Sequence, residues 1–162
     1  MTEATRTLEQ RLAQMTPASR SFARALLDRI PSASDWLTTE PGEDGELLFA
    51  RIPSPTGDPA REIVVWMESD EPSLAFGEWH THATVWASPV DADPDLLLVE
   101  LLEDILYDRI VLCDDVSASR WPTVVDLRDP DAVLGALTEP HDAGEVRLRS
   151  WRGTTDAQTS LD

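Results

Sequence analysis

Two histidines spaced two residues apart, His80 and His82, lie in the run Phe76-Gly77-Glu78-Trp79-His80-Thr81-His82-Ala83-Thr84-Val85-Trp86. No other stretch gathers as many groups able to bind metal, move protons or stack on a partner. On an extended strand alternate side chains share a face. Glu78, His80, His82 and Trp86 would then stand on one side, with Trp79, Thr81 and Val85 on the other. Two neutral imidazoles at i and i+2 can converge on one divalent metal such as zinc, and a carboxylate at i−2 would complete a facial set. Such a metal turns bound water into a nucleophile by lowering its pKa to about 7. Glu78, His80 and His82 are therefore candidate ligands, with Asp91 as a further one, and a metal-dependent hydrolase is one reading. The other is a sheet face whose imidazoles are solvated or hydrogen bonded and which needs no cofactor. The third histidine, His141, falls in a loop far along the chain.

Other chemistry is thin. Cys113 is the only cysteine, so no internal disulfide can form, and its apolar setting, Val111-Leu112-Cys113, suits a buried small hydrophobe better than a nucleophile. Neither a nucleophile elbow, nor a phosphate-cradling glycine loop, nor a paired-cysteine zinc pattern occurs. Asp91, Asp93 and Asp95 alternate like calcium ligands, yet Pro94 makes the segment a better helix start. No catalytic residue can be named, and whether the chain is an enzyme stays open at this point.

Charge narrows the classes of partner. Acidic side chains number 31 against 13 basic ones, giving a net charge of −18, and every basic side chain is arginine. Phosphate contacts need clustered Arg or Lys, so nucleic acid is an unexpected partner and a basic protein an expected one. Acidity that merely keeps the chain soluble is the plainer alternative. No apolar run approaches the roughly 20 residues that cross a bilayer, and Met1–Arg6 lacks the basic start and apolar stretch of a secretion signal. A cytoplasmic location without membrane contact is expected. Aromatic anchors set in an acidic surround would suit protein docking, and Trp79, Trp86, Trp121, Trp151 and Arg152 are the candidate binding surface. Trp86 and Trp121, each flanked by loop-like sequence, are expected to be partly exposed.

The elements that must position these groups follow from periodicity and caps. Leu8, Leu12 and Met15 predict a helix over about 4–15, and Thr16-Pro17 starts another over 17–30 that stops at Pro31. Residues 31–45, rich in Pro, Ser, Gly and acid, read as a loop. Strands are predicted at Glu46–Ile52, Glu62–Glu68 and Leu74–His80, the last continuing as far as Trp86 in its longest reading. Asp93-Pro94-Asp95 opens a helix to about Tyr107 whose polar stripe is narrow, so it should be a buried central helix. Strands at Arg109–Asp114, Thr123–Leu127 and Glu145–Trp151 flank a short helix beginning at Asp129-Pro130. The expected architecture is α+β: one mainly antiparallel or mixed sheet of five to six strands, two N-terminal helices and the buried helix. One domain over 1–155 and a flexible tail at 156–162 complete it.

Two resemblances bear on function. His80-Thr81-His82 with Ser88 and Asp91 resembles the His-x-His, Ser-x-x-Asp signature of JAMM-type metalloproteases, which implies zinc held by the histidines and Asp91 and an upstream glutamate as base. The spacing to Ser88 is shorter than in that family, Ala83 replaces its proline, and none of Glu46, Glu62 or Glu68 is singled out as the base. The order Phe76–His82, a Leu/Ile-rich helix ending Asp104-Ile105-Leu106, Arg109-Ile110-Val111 and Arg149-Ser150-Trp151-Arg152-Gly153 is similar to a family of small uncharacterised bacterial cytoplasmic proteins, immunity-protein-like. That likeness spans about residues 74–155. It implies a compact α+β chain without established chemistry, and with the charge it favours a non-enzymatic acidic protein that masks a basic partner.

Overall fold

In a computed structural model, residues 6–87, 93–115, 121–138 and 145–160 are described. The chain is α+β, as expected, but its strands form two sheets rather than one. A five-stranded meander runs in the order β1-β2-β3-β4-β5, and a four-stranded sheet in the order β7-β6-β8-β9. Among the described residues no helix is long and apolar enough to cross a membrane. The fold divides into two compact units. The first is Met1–Ile52, Val64–Leu74 and Thr81–Glu100; the second is Pro53–Ile63, Ala75–His80 and Leu101–Asp162.

In the first unit, α1 (Leu8–Gln14) is opened by a capping box in which Thr7 and Gln10 satisfy each other's backbone N–H groups. Helix α2 (Pro17–Arg29) starts where Thr16 accepts from Ser19 N, with Pro17 in the first turn. Its buried face is Ser19, Phe22, Ala23 and Leu26, a spacing that faces one neighbour. Burying Phe22 and Leu26 contributes roughly 1.5–3 kcal/mol each. That face meets β2 (Gly45–Ile52), where Leu48 N donates to the buried Ser19 hydroxyl at 3.1 Å. Arg20 closes the end of α1 by donating to the carbonyls of Leu12, Ala13 and Met15.

Residues 31–45, expected to be a loop, instead carry a 3-10 turn at Pro31–Asp35 and the strand β1 (Leu37–Gly42), antiparallel to β2 with Thr39 opposite Leu48. Leu37 and Thr39 point inward while Thr38 and Glu40 face out, a period-2 pattern too short to stand out beside Pro41 and Gly42. The third expected strand is broken in two. Strand β3 (Ile63–Glu68) is followed by β4 (Glu71–Phe76) and β5 (Trp79–His82), and the chain then enters a one-turn helix, α3 (Ala83–Trp86).

The β4–β5 connection is a two-residue turn, Gly77-Glu78, with glycine at its first position at φ +58° as tight hairpins prefer. A Cβ there would lie 2.4 Å from the Ala60 carbonyl oxygen, and Gly77 N donates to Glu62 O at 3.0 Å. Gly77→Ala is therefore expected to destabilise by about 1–3 kcal/mol from left-handed strain and backbone collision together, seen as a lower denaturant midpoint at unchanged slope.

Helix α4 (Pro94–Leu106) begins where Asp93 Oδ1 accepts from Asp95 N at 3.1 Å. Leu98, Val99, Leu101, Leu102, Ile105 and Leu106 are all buried, so the narrow polar stripe marks a core helix.

In the second unit, β6 (Ile110–Asp115) is flanked by β7 (Thr123–Asp126) and β8 (Glu145–Arg149), both antiparallel to it. Val111, Cys113, Val125, Val146 and Leu148 form its apolar core, against which Val133, Ala136 and Leu137 of α5 (Pro130–Thr138) pack. Cys113 is buried, as expected. Residues 156–162, expected as a flexible tail, include a strand, β9 (Ala157–Ser160), antiparallel to β8. Its residues Ala-Gln-Thr-Ser hold no apolar run; pairing with a buried neighbour orders them.

Candidate functional site

The histidine strip does not form as an uninterrupted strand face. Glu78 is the exposed second residue of the β4–β5 turn and Trp86 lies on α3, so strand alternation aligns neither with the imidazoles. On β5 itself the alternation holds, with His80 exposed, Thr81 buried and His82 half-buried. Glu78 and His80 belong to the second unit and His82 to the first. Asp91, Ser88 and His141 lie outside the described residues. Among the described residues no three His, Cys, Asp or Glu side chains are grouped so as to hold a metal ion.

His82 is held from beneath. Its Nδ1 lies 2.7 Å from the hydroxyl of Ser73, a residue with no exposed surface, so the ring is oriented by a partner that water cannot reach. Glu71 is fixed beside it, accepting from both the backbone N–H, at 3.0 Å, and the hydroxyl of Thr84. The Thr84 hydroxyl, then the Thr84 N–H and the neighbouring His82, hold the Glu71 carboxyl below its usual range. Ser73→Ala should cost about 0.5–1.5 kcal/mol and broaden or shift the His82 ring resonances in an NMR spectrum while leaving those of His80 in place.

These residues line one end of the meander. Hairpin turns Glu43-Asp44 and Ser69-Asp70 sit there with the last residue of β5, and each turn brings acid to the tip. A shallow cleft of about 570 Å³ is lined by Glu68, Asp70, Glu71, His82 and Thr84. A second, of about 740 Å³, also lined by Ser69 and Asp70, adds Glu43, Asp44, Pro17 and Leu47. Sequence alone does not disclose this face, because it depends on hairpins bringing positions 43–44, 68–71 and 82–84 together. The signal available was acid at each predicted turn.

The tryptophans separate into surface and core. Trp121 is 81% exposed, whereas Trp151, expected on the binding surface, is only 8% exposed and belongs to the interior. Trp79 and Trp86 are half-buried. Arg152 is exposed and caps α4, its Nε donating to Leu106 O at 2.8 Å, while its guanidinium lies 5.5 Å from the Tyr107 ring and 5.9 Å from that of Trp151. Arg109 also stacks on Tyr107, at 5.0 Å. Asp108, in the left-handed region at φ +55°, ends α4 and accepts from Arg152 N at 3.0 Å and from the Thr154 hydroxyl. Arg152, with Trp151 beside its guanidinium, thus clasps the end of α4.

No family model, curated protein or solved structure matches the chain.

Many of the basic side chains are committed to partners within the chain. Arg61 forms a two-pronged pair with Asp156, both contacts at 2.6 Å, reaches Asp58 at 3.1 Å and donates to Ser150 O at 2.8 Å. Arg147 and Arg149 share Asp114, at 3.0 and 2.6 Å, and Arg109 and Arg128 share Asp104, each at 2.6 Å. Arg6 holds Glu46 at 2.6 Å, and Arg11 donates to Leu37 O. Asp104 and Asp114 each serve two arginines, Arg61 takes both Asp58 and Asp156, and Arg128 also takes Asp126, while Arg11, Arg20 and Arg152 are spent on carbonyls; none of these pairs draws on Glu43, Asp44, Glu68 or Asp70. The first unit's turn carboxylates remain to face solvent.

Proposed function

We propose that this protein is a non-enzymatic acidic binding protein that masks a basic protein partner, in the manner of an immunity protein. The observation that carries the reading is the division of charge. Arg6, Arg11, Arg20, Arg61, Arg109, Arg128, Arg147, Arg149 and Arg152 are spent on the chain's own carboxylates and carbonyls, while Glu43, Asp44, Glu68, Asp70 and Glu71 line two adjoining clefts on one end of the first unit. A single-sign rim around a concave face focuses the field and speeds encounter with a partner of opposite sign. Pro17 and Leu47 line the same cleft as Glu43, Asp44 and Asp70 and add the apolar surface that an interface centre needs. The cytoplasmic setting and the immunity-type family follow from the likeness of residues 74–155 and belong to this same proposal.

The test is capture by the immobilised protein of the products of neighbouring genes, followed by titration of the complex with salt. A basic partner that saturates the protein at equal stoichiometry, and whose affinity falls as salt shortens the Debye length from about 30 Å at 0.01 M to about 8 Å at 0.15 M, is the expected result. Retention of nothing, or of partners indifferent to salt, would overturn the reading.

A further inference from the structure

We draw no further inference here: the strongest candidate, the acidic cleft at the hairpin end of the five-stranded sheet where Ser73 orients His82, belongs to the site already described, and nothing in the structure beyond its own carboxylates shows what fills it.

Discussion

Replacing Arg61 by alanine is expected to lower stability by about 2–4 kcal/mol, somewhat below the ~3–5 kcal/mol of breaking a wholly buried pair, because Asp156 retains contact with water. The Arg61 side chain is 13% exposed and that of Asp156 37%. Removing the guanidinium strands Asp156, leaves Asp58 with the Ala60 N–H and leaves the Ser150 carbonyl with only the longer bond from Gly153 N, at 3.2 Å. Asp156 would keep only the Ser150 N–H, at 3.0 Å. The same network sets an acid limb. Arg61 and then the Ser150 N–H hold the Asp156 carboxyl below its usual range, and the Ala60 N–H and then Arg61 do so for Asp58. A carboxyl with a depressed folded pKa contributes stability above its unfolded value, near 3.9, and loses it as pH falls through the folded value. Denaturant midpoints of the native chain should therefore drop as pH falls below about 4, and the drop should be shallower in Arg61→Ala. An Arg61→Ala chain as stable as the native one, with an unchanged acid limb, would show that the network is ornamental.

Reversing charge at the cleft rim should act on association instead of folding. Glu43→Lys, Asp70→Lys and Glu71→Lys together are expected to slow association with a basic partner by roughly 10- to 1000-fold at low salt, the range over which steering operates. Most of the loss should lie in the on-rate and should shrink as salt rises. Glu43 and Asp70 occupy hairpin tips, so their exchange should leave thermal stability nearly unchanged. Glu71 accepts from Thr84, so the double variant lacking Glu71→Lys serves as the folding-neutral comparison. An on-rate unaffected by all three changes, with binding otherwise intact, would move the docking face elsewhere on the molecule.

Much of the helical scaffold was legible in the sequence because its signals are local. Thr16-Pro17 and Asp93-Pro94 state where α2 and α4 begin, and the Leu/Val periodicity states which faces they bury. The sheets were legible in kind but not in number. A strand such as β9, Ala-Gln-Thr-Ser with no apolar run, owes its existence to hydrogen bonds with β8, which no local pattern records. At β4–β5 a glycine inside an apolar run reads as continuous strand, although its left-handed φ makes it the turn. That turn on one side of β5 and the helix α3 on the other take Glu78 and Trp86 out of line with the histidines. The Arg61–Asp156 pair joins residues far apart in sequence, and nothing near either one announces the other. Loop-like flanking sequence marked Trp121 as an exposed indole, as it is, whereas nothing near Trp151 announced that it belongs to the interior.

Strand β8 carries two incompatible sides. Val146 and Leu148 enter the aliphatic interior while Arg147 and Arg149 turn the opposite way to reach Asp114. A slip of one position along β6 would drive guanidinium groups into hydrocarbon and leave methyl groups opposite a carboxylate, a double penalty that grows with every misplaced residue. The strand thus behaves as a key cut on both edges. The alignment that satisfies both sides also brings Ser150 to Arg61 and Asp156 and Arg152 to the end of α4.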